Sequence, residues 1–194
     1  TSGEWKLIRF AECLLPLMDK NKTKSMEIAK EALRDYKILY ERYWLQGMGK
    51  KLGLFQVKAD DDKFFKKLLL LMETYKADFT NTFRSLTLRK IEGHDLFSSL
   101  VFKKWYEQWE IRLKRQERTD EEVYELMRNH NPSIIPRNHR VEEALEHAVE
   151  EQNDRPFKKL LSVLKNPYAY MKEQEAYISP PDPSNPPYQT FCGT

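Results

Sequence analysis

Two prolines four residues apart, Pro132 and Pro136, constrain this chain more than any other short stretch. Each fixes its own φ, lacks an N–H to donate, and pushes the residue before it, Asn131 or Ile135, out of the α region. Between them lies the apolar pair Ile134–Ile135. After them come a polar Arg137-Asn138-His139 turn and an abrupt switch into helical periodicity. The stretch is therefore a rigid corner between helices. Asn138 suits the N-cap of the next helix, whose Val141, Leu145, Ala148 and Val149 are expected to face inward.

The rest of the chain reads as helix on both sides of that corner. Trp5, Ile8, Leu14, Leu15 and Met18 mark a first helix, which Pro16 should kink or end. Met26, Ala29, Leu33, Tyr36, Tyr40 and Tyr43 recur at three- and four-residue steps over about 24–48, and Gly47, Gly49 and Gly53 are expected to stop that helix. Asp60-Asp61-Asp62 opens a helix with Phe64, Phe65, Leu68, Leu69, Met72 and Tyr75. Asp78 opens another with Phe79, Phe83 and Leu86 inward, broken at Gly93. A continuous aromatic helix is expected over about 95–114, with Leu96, Phe97, Leu100, Phe102, Trp105, Trp109 and Leu113. Thr119 and Glu122 then form a capping box. Past the corner, Asp154 and Pro156 start a helix through Leu160, Leu161 and Leu164, which Asn166-Pro167 ends. No strand pattern competes, so the expected fold is all-α, an irregular array of about eight helices. Three regions are expected: helices over 1–130, the corner with short helices over 131–178, and an extended proline-rich arm over 179–194.

Composition excludes several classes. Thirty-three basic and 30 acidic residues leave a net charge of +3, too small a field to call for nucleic acid. No apolar run reaches the length of a membrane span and no leader pattern opens the chain, so a cytoplasmic protein without a membrane partner is expected. Two cysteines, Cys13 and Cys192, make no disulfide framework.

Few side chains invite chemistry. Cys192 sits third from the end of the arm, where a thiol is accessible; it is a redox candidate or a spectator in a docked tail. His139, Glu143, Glu146 and His147 share a helix and could present a metal face, but the spacing is not that of a di-iron bundle or a zinc protease, and a salt-bridged surface explains it better. Lys103, Lys104, Arg112, Lys114, Arg115 and Arg118 surround Trp105, Tyr106 and Trp109 like a nucleic-acid surface. The interleaved Glu107, Glu110 and Glu117 instead describe paired helix faces. No phosphate-binding glycine loop and no nucleophile–base order is present.

Several motifs, in order along the chain, resemble the selenoprotein O family, kinase-like proteins that transfer AMP to other proteins. The corner Asn131-Pro132-x-x-Ile135-Pro136-Arg137-Asn138-His139 is one. Gly3-x-Trp5-Lys6-Leu7-x-Arg9-Phe10-Ala11-Glu12 is another, with Lys6 where the family has Asn. Lys51-Leu52-Gly53-Leu54, Asp78-Phe79-Thr80-x-x-Phe83-Arg84, Asn166-Pro167-Tyr168 and the terminal Phe191-Cys192-Gly193-Thr194 complete the set. The resemblance implies the end of a kinase-like C-lobe plus the family's helical C-terminal extension. It implies no catalytic, cofactor-binding or metal-binding residue here, because the family's lie upstream of the first of these motifs. ATP, magnesium and protein substrates belong to the implied full-length parent, and an upstream catalytic lobe is the implied partner. Cys192 occupies the place of a family cysteine or selenocysteine implicated in redox control. The expected function is thus structural support and redox regulation within a protein adenylyltransferase. The alternative is a stand-alone helical interaction module.

Overall fold

The computed structural model describes residues 2–182 and Ser184. Among these there are nine α-helices, one 3-10 helix and no strand, as an all-α fold requires. Most of the proline-rich arm, Cys192 with it, lies outside the described residues. Two compact units divide the chain, residues 1–47 and 48–194.

The first unit holds α1 (Ser2–Met18) and most of α2 (Lys22–Lys51). Pro16 lies in the last turn of α1, which ends two residues later. In the turn that follows, Asn21 Oδ1 accepts from the backbone N–H groups of Thr23 at 2.9 Å and Lys24 at 3.2 Å, satisfying donors that a helix start leaves free. The buried Ser25 hydroxyl donates to the Leu15 carbonyl. Only Ala29 of the apolar residues on α2 within this unit is fully buried. Trp5, Phe10, Leu17, Ile38 and Tyr43 are each at least 60% exposed.

The second unit follows from the end of α2 through α3 (Asp61–Thr74), α4 (Phe79–Leu88), α5 (Asp95–Ser98), α6 (Leu100–Lys114), α7 (Asp120–Arg128), α8 (Asn138–Glu150), α9 (Arg155–Leu164) and a 3-10 helix over Lys172–Tyr177. Its centre is aromatic. Trp105 and Trp109 of α6 have no exposed surface, and each indole N–H meets a carbonyl, Phe64 at 3.1 Å and Leu52 at 2.9 Å. A buried indole keeps its place only with such an acceptor. Phe64 stacks on Trp105 with centroids 4.8 Å apart, and Phe102 packs against Phe97 at 5.2 Å. Phe65, Leu68, Phe83, Leu86, Val123 and Met127 are buried on α3, α4 and α7. A smaller cluster joins Ile134 of the corner to Ala144, Leu160 and Val163, flanked by Val141, Leu164, Tyr177 and Ile178.

Several local expectations are corrected by tertiary packing. α2 runs through Gly47 and Gly49 to Lys51, and Gly49 serves close approach rather than termination: a β-carbon there would collide with Val57 Cγ2, whereas one on Gly47 would meet nothing. Gly53, at φ +75°, makes the turn. Its missing side chain leaves room for Val123, whose Cγ1 would lie 2.7 Å from a β-carbon there. Arg89 in the left-handed region, not Gly93, ends α4. The aromatic segment is divided at Ser99, whose extended backbone closes α5 and whose hydroxyl caps α6 through the Phe102 N–H at 3.2 Å. The break turns Leu100 out, and Phe79, Leu145, Val149 and Leu161 also face outward, since each stripe is wider than the surface that covers it. Asn138 is the first residue of α8 rather than its cap. Arg137 holds the cap position, with its side chain engaged elsewhere.

Candidate functional site

The corner is a knot of polar side chains tied to three distant parts of the second unit. Asn131, fully buried, is the centre. Its amide Nδ2 donates to the Lys51 carbonyl at 2.8 Å and to Thr87 Oγ1 at 2.9 Å, and its Oδ1 accepts from Lys51 Nζ at 3.4 Å. Its own carbonyl accepts from the Tyr170 hydroxyl at 2.9 Å. Its N–H still donates to the Met127 carbonyl at the end of α7 at 2.8 Å, while its carbonyl and side chain are left for these partners. The Thr87 hydroxyl donates in turn to the Phe83 carbonyl at 2.8 Å, so the chain of bonds ends inside α4.

Among the described residues, Lys51 is the cation of this knot that has no carboxylate partner. Nζ donates to the His130 carbonyl at 2.8 Å and lies 5.7 and 5.5 Å from the Phe79 and Phe83 ring centroids. Burial holds its ammonium below the usual lysine range.

Arg137 reaches back to Asp78 with two parallel bonds, Nη1 to Oδ2 and Nη2 to Oδ1, both 2.9 Å. Asp78 is at the same time the N-cap of α4, accepting from the Asn81 N–H at 2.8 Å. Burial raises the Asp78 carboxyl, but the Arg137 guanidinium and the Asn81 N–H outweigh it and hold the group below the usual carboxylate range. Arg84, one turn further along α4, donates through Nε to Ser133 Oγ at 3.3 Å. Ser133 N–H donates to the Pro167 carbonyl at 2.7 Å, fixing the end of α9 to the corner.

The motif residues thus fall into place around the corner. Asn131, Arg137, Asp78 and Arg84 carry its bonds. Thr80 and Phe83 are buried beside them, and Pro132 is partly covered. Pro136 and Asn138 are exposed, and shape the turn without a side-chain bond of their own. His139 is partly covered; burial, with Arg140 and Arg137 nearby, keeps its imidazole below the usual range. Cys192 lies outside the described residues, while Cys13 is an exposed free thiol. On α8, Glu143 pairs with Arg140 and His147 with Glu151, each at 2.9 Å.

Sequence reasoning missed Thr87, Ser133, Asn81, Tyr170 and Gln174. Gln174 is buried and donates to the Val163 carbonyl at 3.2 Å and the Asn166 carbonyl at 2.8 Å. Nothing local distinguishes these residues, whose partners lie up to 97 positions away.

Most donors and acceptors of the knot are matched with backbone or with one another, the buried Arg137 Nε and Asn81 Oδ1 being left without a partner among the described residues, and neither nucleophile and base nor two free carboxylates converge there. Among the described residues, no group of three or more His, Cys, Asp or Glu could hold a metal ion, and no helix is long and apolar enough to cross a membrane.

Comparison with known proteins places these residues in context. Residues 2–165 match the family described as "Protein adenylyltransferase SelO". A "Protein nucleotidyltransferase YdiU" of Bacillus cereus (strain G9842) is 52% identical over 190 residues, covering 98% of this chain and 39% of that protein. A relative of the same name from Bacillus anthracis (strain A0248) gives the same identity and coverage. The chain therefore spans about two fifths of the length of the curated relatives it matches.

Proposed function

The chain belongs to the SelO family of protein adenylyltransferases, and from that membership we propose that it is the C-terminal helical portion of such an enzyme. The activity of the whole is AMP transfer from ATP to Ser, Thr or Tyr hydroxyls of protein substrates. The role of this portion is to support the catalytic lobe and to carry a redox-responsive cysteine, Cys192, on its arm.

The observation that carries the reading is the state of the family's motif residues. Asn131, Arg137, Asp78, Arg84 and Lys51 spend most of their polar groups on one another, on neighbouring hydroxyls and on backbone. Residues committed this way hold a shape, and do not turn over a substrate. Asp78 and the buried Asp61 are each closed by an arginine, and no step through ATP or magnesium is assigned to this chain.

A second observation fits the same reading. Trp5, Phe10 and Leu17 on α1 are 62%, 61% and 82% exposed. Such apolar side chains on one short helix are what a buried contact with further protein would use; the upstream lobe is that protein.

The test is AMP transfer from α-labelled ATP. Residues 1–194 alone should incorporate no label into themselves or into added protein, whereas a protein of the relatives' full length should incorporate it. Labelling by 1–194 alone would sink the proposal.

A further inference from the structure

Away from the knot, the end of α6 and the segment leading from α2 into α3 enclose a concavity of about 430 Å³. Phe55, Lys58, Arg112, Arg115, Glu117 and Arg118 line it. Its walls are cross-tied. Gln116 donates through Nε2 to the Gly53 carbonyl at 2.7 Å and accepts from the Phe55 N–H at 3.2 Å, and Arg112 Nη2 donates to the Gln56 carbonyl at 2.8 Å. Both ends of the Gln116 amide are therefore occupied, and the shape is set before anything binds.

The hydrogen-bonding inventory of this pocket is lopsided. Arg112 binds Asp61 through Nε at 3.2 Å and Nη2 at 3.1 Å, and Asp61 also accepts from the Lys58 backbone N–H. Arg118 binds Glu122 through Nη1 at 2.9 Å and lies over the Phe55 ring at 4.7 Å. Those two carboxylates are used up by those two guanidiniums. The side chains of Lys58 and Arg115 make no such pair among the described residues, and Arg112 Nη1 and Arg118 Nη2 have no acceptor there. Glu117 is the one carboxylate lining the pocket. An arginine carries only donors, as does a lysine, so the open groups are nearly all N–H.

The opposing bland explanation is that basic side chains collect at a helix C-terminus to offset its dipole. It accounts for Arg112 and Lys114 in the last turn of α6. It does not account for Lys58, which arrives from a different segment, nor for a concave, pre-tied wall between the two.

We propose that this pocket binds a small phosphate-bearing molecule, its phosphoryl oxygens taken by Lys58, Arg115 and the unspent N–H groups of Arg112 and Arg118. Forked guanidinium donors match carboxylate and phosphate alike, but a tetrahedral oxyanion also offers acceptors in several directions at once, as donors arriving from two segments require. The cavity is of ligand-site size rather than ion size, and Phe55, 40% exposed, offers an apolar edge for the rest of the molecule.

The test is titration of pyrophosphate, at low salt, into the isotopically labelled chain, followed through backbone amide resonances. Saturable shifts are expected at Gln56, Lys58 and residues 115–118. Joint substitution Lys58→Gln with Arg115→Gln should weaken binding by about tenfold or more, from the loss of two charge-assisted bonds. Lys63→Gln with Lys67→Gln, on the exposed side of α3, should leave it unchanged. Both double variants should melt with the parent, since Lys58 and Arg115 are exposed. Shifts spread over surface lysines, or equal binding by the Lys58/Arg115 variant, would overturn the proposal. So would saturable binding of an acidic or phosphoserine peptide with none of pyrophosphate.

Discussion

At the scale of single residues, the corner rests on Asn131. A buried amide that holds two acceptors and a donor in place leaves each of them short of a bond when it is removed, and buried groups left short cost more than the bonds themselves are worth. Asn131→Ala should therefore destabilise the second unit by about 2–4 kcal/mol in urea unfolding, with unchanged slope. A loss under about 0.5 kcal/mol, the range of ordinary surface substitutions, would remove it from the centre. The Arg137–Asp78 pair makes a pH prediction with a definite sign. The folded carboxyl titrates below its ordinary 3.8, so its contribution is complete above that value and is lost as pH falls through the folded value. Asp78→Asn should flatten the stability–pH curve on that acid side only. Lys51 acts in the same direction at the alkaline end of the scale. Burial lowers its ammonium below 10.5, so the unfolded chain holds more protons on the alkaline side, and stability should rise as pH climbs through the folded value toward 10.5. Lys51→Met should abolish that rise.

At the scale of elements, what was legible in the sequence was what the chain decides locally. The Thr119–Glu122 capping box forms as written, with both reciprocal bonds present, because its partners are three residues apart. Asp78 likewise caps α4. Tertiary partners settled the rest. Gly49 reads as a helix stop until Val57 packs where its side chain would be. Asn138 reads as a cap until Arg137, its side chain drawn to Asp78, takes the position. The aromatic run over 95–114 reads as one helix, yet Ser99 divides it, accepting from Phe102 and donating to Leu96. Ser99→Ala should cost about 1–2 kcal/mol, as loss of a part-buried cap does, measured as a fall in unfolding midpoint. The candidate site was legible only as a list of motif residues. Their mutual bonds span intervals such as Lys51 to Asn131 and Asp78 to Arg137, which no local pattern encodes.

At the scale of the whole molecule, family residues that brace one another and an α1 that exposes Trp5, Phe10 and Leu17 support the proposal that the chain is a component. Isolated, it should associate with itself at rising concentration through those side chains, and Trp5→Ser with Leu17→Ser should return it to a monomer in analytical ultracentrifugation. The most direct test of the component reading is the size of the native product in source cells, seen with an antibody raised against residues 131–145. The account predicts a band well above 23.3 kDa, as expected when relatives are covered over only 39% of their length. A single band at 23.3 kDa would contradict it and leave a helical interaction module in its place.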